Sequence, residues 1–167
     1  MQAAPWGEPA NPPSHRFTPF NTFVGMGERT IVDQIAALIF HNLPDRFPGL
    51  RFLIVEYGAG WLPHLLKTLE KIFRLGDHRS RWAFGKPSLT PGETFRRQFW
   101  IVPFFEDDIA AVARAAGVER VVHGSDYPHP EGLHSSADML RELGSFGAAE
   151  QRRIMRANAA GLLGLAP

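Results

Sequence analysis

The chain has 167 residues, enough for one ordinary domain with a hydrophobic core. Its formal net charge of +1 gives no support to a nucleic acid or an anionic membrane surface as its partner. The absence of cysteine excludes disulfides, thiolate metal ligands and a cysteine nucleophile, and it fits a cytoplasmic protein. The longest apolar run, residues 35–40, is too short to cross a bilayer.

Two units are predicted, a Pro-rich segment at 1–27 and a folded part at 28–167. The first lacks the basic start and apolar stretch of a signal peptide. In the second, apolar residues at helical spacing predict a helix that ends near His41, before Pro44. The apolar run 51–55 then predicts a strand that is buried on both faces, as in a parallel sheet.

After this strand come two glycines and a helix whose apolar stripe begins at Leu62. The polar stretch 76–95 predicts no definite element. A second strand is predicted at 99–102, and Asp107 or Asp108 is expected to cap the helix that follows, with Glu106 in the same cap.

The segment 118–122 is predicted as the third strand, and two further helices, at about 136–143 and 148–163, complete the chain. Asn158 in the last helix is interpreted as a buried amide that ties the helix to a loop. This α/β order, with about three parallel strands, is typical of barrels and doubly wound sheets. Helices on one side only would leave the other apolar face of the sheet in water, so a covering partner is expected.

Two carboxylates follow predicted strands. Glu56 comes directly after the first strand, and Asp126 follows the third in a turn with His129 and Glu131. α/β barrels present catalytic groups at the carboxyl ends of their strands, and a carboxylate after an apolar run is costly unless it is paired or used. The alternative for Asp126 is a solvated turn in which it only caps the next segment. The turn alone does not decide between the two.

Several other classes of site find little support. The sequence has no complete dinucleotide-binding glycine motif, no P-loop and no Gly-x-Ser-x-Gly elbow. The donors Asp126, His129 and His134 lie within nine residues, with His123 nearby, but no His-x-His pair occurs. A catalytic zinc needs about three converging protein ligands, so a metal site made by this chain alone is not favoured.

Three segments together resemble the second half of amidohydrolase-related proteins, the group that includes aminocarboxymuconate semialdehyde decarboxylase and related TIM-barrel metal-dependent hydrolases. They read FPGLRFLIVEYGAGWLP at 47–63, HGSDYPHPEG at 123–132 and IMRANAA at 154–160. The resemblance implies a partial (β/α)8 TIM barrel, comprising strands six to eight with their helices. It also implies a divalent metal, expected to be zinc, of which this chain carries only part of the site.

By this resemblance, Asp126 binds the metal or handles a proton of metal-bound water. Glu56, which stands where the decarboxylases have a histidine, is the second acid–base or substrate-positioning group. His129 is expected to contact a small-molecule substrate, and Tyr57 and Trp61 are expected to bind it as pocket walls or to serve in packing, rather than to take part in the chemistry.

The function favoured by the sequence is hydrolysis of C–N or C–O bonds through metal-activated water, because Glu56 cannot reproduce an imidazolium. One alternative is a non-oxidative decarboxylase of the same family. The other is a non-catalytic half-barrel that acts only by association. The expected partner is a second copy of the chain or the missing amino-terminal half of the barrel.

Overall fold

The computed structural model describes residues 27–79, 82–127, 129 and 132–166, without the side chains of 77–79. The predicted Pro-rich segment 1–27 lies outside these residues except for its last position, and Glu131 lies outside them as well. Within them the α-helices are α1 (Arg29–Phe40), α2 (Leu43–Arg46), α3 (Leu62–Arg79), α4 (Pro91–Gln98), α5 (Ile109–Ala116), α6 (Met139–Glu142), α7 (Ala148–Arg152) and α8 (Asn158–Leu163). The strands are β1 (Phe52–Ile54) and β2 (Phe99–Ile101), and 3-10 turns span Val118–Arg120 and Ser136–Asp138.

The strands β1 and β2 form a parallel pair in which Phe52 lies opposite Phe99 and Ile54 opposite Ile101. Successive residues of a strand point to opposite faces of the sheet. One face carries Ile54, Phe99 and Ile101, which are at most 5% exposed in a core with the helices. The prediction of parallel, core-forming strands is confirmed for these two.

The predicted third strand, 118–122, is wrong in most of its length. Val118–Arg120 forms a 3-10 turn, in which the amide of Arg120 donates to the carbonyl of Gly117 and that of Val121 to Val118. These local bonds take backbone groups that a strand would offer to its neighbour. What remains is one parallel bridge between Val121 and Ile101, supported by a 2.9 Å hydrogen bond from the Val122 amide to the Ile101 carbonyl.

The second face of the sheet is partly uncovered in the described part of the chain. Leu53 and Val55, which alternate with the core residues of β1, are 44% and 47% exposed. The backbone of β1 is paired with β2 on one side, and its other edge borders a groove against α1 with a volume of about 480 Å³. The expected uncovered apolar face is therefore present at Leu53 and Val55, whereas Trp100, opposite Leu53 on the same face, is covered by the guanidinium of Arg120 at 4.4 Å.

The helices pack their apolar sides against the buried face of the sheet. α1 and α3 place their apolar stripes on the core, through Ile35 and Ile39 of the first and Leu62, Leu65 and Leu69 of the second. Asp108 caps α5, because its carboxylate accepts from the Ala111 amide at 2.8 Å. The sequence predicted either Asp107 or Asp108 as this cap, together with Glu106, and the structure selects Asp108.

No helix within the described ranges is both long and apolar enough to pass through a membrane.

The predicted last helix is interrupted. A π-helical turn, Arg153–Ala157, separates α7 from α8. Within this turn the carbonyl of Ile154 accepts from the backbone amide of His123 at 3.0 Å. The wider turn therefore ties the carboxyl-terminal helices to the segment that leads from Val121 to Asp126.

Candidate functional site

Glu56 lies two residues beyond the end of β1, where the chain turns toward α3. Its side chain is exposed and its backbone is left-handed, with φ +63°. A left-handed backbone costs a residue other than glycine about 1–2 kcal/mol, so neighbouring contacts must hold it.

Asp126 lies beyond the single bridge at Val121 and is also left-handed, with φ +58°. Its Oδ1 is 3.0 Å from Nδ1 of His129, and its carbonyl accepts from the His129 amide at 2.8 Å. The side chains of Asp126 and His129 are 26% and 52% exposed, so both can be reached from solvent. Within the described residues, the only other non-glycine residue with positive φ is Asn42.

Both carboxylates follow segments that run parallel to β2 on either side of it, Glu56 after β1 and Asp126 five residues after the bridge at Val121. β2 runs between them, and strands in a sheet are spaced about 4.8 Å apart, so their backbones leave the sheet on the order of 10 Å from each other. No hydrogen bond or ion pair within the described residues joins Glu56 to Asp126.

Tyr57 and Trp61 follow Glu56 and have different environments. Tyr57 is partly buried and borders the groove beside β1. Trp61 is only 8% exposed, packs in the hydrophobic core, and its indole N–H donates to the Tyr57 carbonyl at 2.9 Å. Packing accounts for Trp61, while Tyr57 keeps one side toward the groove.

One residue near the site was missed as a functional candidate. The carboxylate of Asp107 accepts hydrogen bonds from the amides of Ala59 (2.7 Å), Gly60 (3.0 Å) and Phe104 (2.9 Å). It thereby joins the loop after β1 to the loop after β2. The signal in the sequence was the pair Asp107–Asp108, since a helix needs only one cap and the second carboxylate was left without a role.

His123 has a buried ring close to the same rim. Both ring nitrogens are enclosed without a hydrogen-bond partner within the described residues, and burial lowers the pKa of the imidazole. The neutral ring is therefore favoured at neutral pH.

Metal ligands are incomplete in the described part of the chain. No group of three histidine, cysteine, aspartate or glutamate side chains there is arranged to hold an ion. Asp126 suits a divalent metal as one hard oxygen ligand, because its carboxylate is accessible and oriented by His129. His134 is exposed and is not joined to this pair.

The Amidohydrolase family matches residues 11–165. The chain belongs to this family. A curated relative, 2-amino-3-carboxymuconate-6-semialdehyde decarboxylase of Dictyostelium discoideum, is 26% identical over 146 residues, which cover 86% of this chain. The chain spans only 39% of the length of that relative.

Solved structures of related proteins share the fold. An amidohydrolase of Mycobacterium avium subsp. paratuberculosis K-10 is 34% identical with a TM-score of 0.76, over 87% of this chain and 36% of that one. The 5-carboxyvanillate decarboxylase of Novosphingobium aromaticivorans DSM 12444, a complex with manganese, is 20% identical with a TM-score of 0.64, over 80% and 38%. The chain therefore aligns with part of an amidohydrolase TIM barrel, as the sequence motifs predicted.

Proposed function

We propose that this chain supplies the carboxyl-terminal part of the active site of a metal-dependent, non-oxidative decarboxylase that acts on an aromatic or unsaturated carboxylic acid. The observation that carries this proposal is the similarity to the Dictyostelium decarboxylase, which covers 86% of the chain. The same comparison favours decarboxylation over the hydrolysis that Glu56 suggested.

Decarboxylation replaces a C–CO2 bond by a C–H bond, so one group at the site must deliver a proton to carbon. Asp126 and Glu56 are the titratable side chains that the chain brings to the two strand ends. Glu56, whose side chain is exposed, would carry that proton or position the substrate, while Asp126, oriented by His129, would hold the metal. The carbon loses CO2 and gains H⁺, which balances the step.

A divalent metal, when bound, would polarise the substrate carboxylate or an adjacent oxygen and lower the pKa of a water ligand. Asp126 is the residue of this chain that would hold it, with His129 orienting the carboxylate from behind. Zinc was expected from the sequence, whereas the Novosphingobium decarboxylase is a manganese complex, so both ions belong in the test.

Hydrolysis remains the second candidate because of Glu56, whose carboxylate can take a proton from water but cannot replace a histidine. The similar Mycobacterium protein is also described as an amidohydrolase. In this alternative, Asp126 or Glu56 would accept the proton of the attacking water.

The site also needs polypeptide beyond these residues. The chain spans 36% of the Mycobacterium amidohydrolase, whose remaining part has no counterpart in the match. We propose that equivalent polypeptide covers Leu53 and Val55, pairs with the open edge of β1 and brings the remaining metal ligands.

A chimera tests the function directly. Residues 28–167 would replace the matching part of the Mycobacterium amidohydrolase, and the purified protein would be loaded with manganese or zinc. We expect CO2 release from an aromatic or unsaturated acid, with one deuterium at the vacated carbon when the reaction runs in D2O. Glu56→Gln and Asp126→Asn should each lower kcat at least about a hundredfold, the usual size of an acid–base contribution.

Glu142→Gln is the matched control, because Glu142 is an exposed carboxylate at the end of α6, away from the strand ends. It should leave turnover unchanged. Incorporation of 18O from water into the product without CO2 release would show that the reaction is hydrolysis and not decarboxylation. A chimera loaded with manganese or zinc that shows neither CO2 release nor hydrolysis would leave only the non-catalytic role.

A further inference from the structure

We propose that Asp107 is a positioning residue, whose carboxylate holds the loop after β1 in the left-handed conformation that places Glu56 at the rim of the sheet. The importance of Glu56 itself rests on the proposed function, whereas the hold on the loop rests on the contacts of Asp107.

The loop from Glu56 to Gly60 adopts a conformation that its own residues do not favour. Glu56 has φ +63° and Gly58 has φ +58°, so two left-handed residues lie within three positions. Glycine tolerates this conformation, but glutamate does not do so without support. Such a backbone persists only where the surroundings determine it.

Asp107 supplies that support by accepting from consecutive amides. Its Oδ2 accepts from Ala59 at 2.7 Å, and its Oδ1 accepts from Gly60 at 3.0 Å. Ala59 is fully buried, and hydrogen bonds to an ionised acceptor are stronger than neutral ones. Because α3 begins at Leu62, the carboxylate also lies near the positive end of that helix.

The same carboxylate binds its own loop, because Oδ2 accepts from the Phe104 amide at 2.9 Å. The ring of Phe104 in turn lies against Gly58, where an added Cβ would be 2.8 Å from Cδ2 of that ring. The loops after β1 and β2 are thus held together at two points. A movement of one loop has to displace the other.

Gly60 is required by this contact rather than by its own backbone. A Cβ at Gly60 would lie 2.8 Å from Oδ1 of Asp107, closer than real contacts allow. Its φ is not in the left-handed region, so conformational freedom does not explain the glycine. Of the two glycines that follow β1, Gly60 is therefore explained by the carboxylate of Asp107 and Gly58 by its left-handed backbone.

Amide hydrogen exchange of the full chain, followed by mass spectrometry or NMR, tests the hold on the loop. Asp107→Ala should accelerate exchange at Ala59 and Gly60 by about tenfold or more, because charge-assisted hydrogen bonds are lost. Asp107→Asn retains one carbonyl acceptor, so its exchange rates at Ala59 and Gly60 should lie between those of Asp107→Ala and those of the unmodified chain. Exchange in the middle of α3 should not change.

Two variants serve as matched controls. Asp108→Ala removes the neighbouring carboxylate and the cap of α5, so it should destabilise that helix without accelerating exchange at Ala59 or Gly60. Gly49→Ala adds a methyl group where no atom lies within 4 Å, whereas Gly60→Ala should loosen the loop as Asp107→Ala does. The double variant Asp107→Ala with Gly60→Ala should be no looser than either single variant, since both remove one contact.

Equal exchange at Ala59 and Gly60 in Asp107→Ala and Asp108→Ala would overturn the proposal, as would acceleration spread evenly over α3. The result is separable from the proposed function. If Asp107→Ala loosens the loop while the decarboxylating chimera keeps its kcat, the hold is confirmed and the role of Glu56 is wrong. Loss of kcat with unchanged KM, partly restored by Asp107→Asn, would support both.

Discussion

The side-chain amide of Asn158 donates to two backbone carbonyls, those of Val118 at 2.8 Å and Val121 at 2.7 Å. It is 8% exposed, so little water can replace these bonds. The sequence interpretation of a buried amide that ties the last helix to a loop is confirmed. The residue thereby anchors the first residue of the 3-10 turn that replaces the predicted third strand, and the residue directly after that turn.

Asn158→Ala should destabilise the fold by about 1–3 kcal/mol, because at least one buried carbonyl loses its partner. The loss would be measured by urea unfolding. Arg156→Ala, at an exposed position two residues earlier, should change the midpoint little. Equal midpoints for the two variants would show that the amide contributes nothing.

Asp45 joins α2 to the segment before α4. Its carboxylate accepts from the Ser88 amide and from the guanidinium of Arg97, both at 2.6 Å. Burial raises the pKa of Asp45, whereas these two partners lower it, and the net pKa lies below its ordinary 3.8. The charged form is therefore the one the fold favours.

A carboxyl group whose pKa is lowered on folding contributes stability above its unfolded pKa of about 3.9 and loses it as the pH falls through the lower folded value. Asp45→Asn should accordingly unfold at lower urea than the unmodified chain at neutral pH. The difference between the two unfolding midpoints should disappear as the pH is lowered past about 4. Glu142→Gln, at an exposed site, is the control, and a gap independent of pH would contradict the assignment.

At the scale of elements, α4 shows which local signals the sequence offered and which were overlooked. The stretch 76–95 is mostly polar and has no apolar stripe at helical spacing, so it predicts no definite element. The start of α4 is instead marked by Thr90, Pro91 and Glu93, which form a capping box with proline in the first turn. Long apolar stripes predicted α1 and α3 correctly, while this polar helix required its cap to be recognised.

Thr90→Ala should cost about 1 kcal/mol of stability, since its Oγ1 accepts from the Glu93 amide and the amide of Thr90 donates back to Glu93. Thr68→Ala is the matched control, because Thr68 is exposed in the interior of α3, where alanine is at least as favourable. Chemical unfolding of both variants measures the difference. A similar cost at the two positions would show that the capping box has no effect.

The third strand and the site could be predicted only in part, for different physical reasons. Val118–Val122 has the composition of a strand, but strand formation depends on pairing and packing with distant residues, and the local bonds of the 3-10 turn prevailed. The strand-end positions of Glu56 and Asp126 followed from the apolar runs before them. Their left-handed backbones and the contacts of Asp107 depend on residues far apart in the chain, which periodicity does not reveal.

At the scale of the whole molecule, the described residues cover one face of the sheet with helices and leave the other face open at Leu53 and Val55. Leu53 and Val55 are nearly half exposed, next to an unpaired edge of β1 and the groove against α1. Open strand edges with apolar side chains favour association with further polypeptide. The short overlap with the relatives agrees with a face that belongs inside a larger barrel.

The isolated chain should therefore self-associate in a concentration-dependent way, and a charge on the open face should prevent it. Leu53→Lys places an ammonium group at the edge strand and should shift sedimentation toward the monomer without lowering the free energy of unfolding. Leu140→Lys is the control, because Leu140 is equally exposed, at 44%, but lies on α6 away from the sheet. The prediction would be wrong if the unmodified chain sedimented as a monomer at every concentration. It would also be wrong if Leu53→Lys and Leu140→Lys shifted sedimentation toward the monomer equally, because the open face would then not be the site of association.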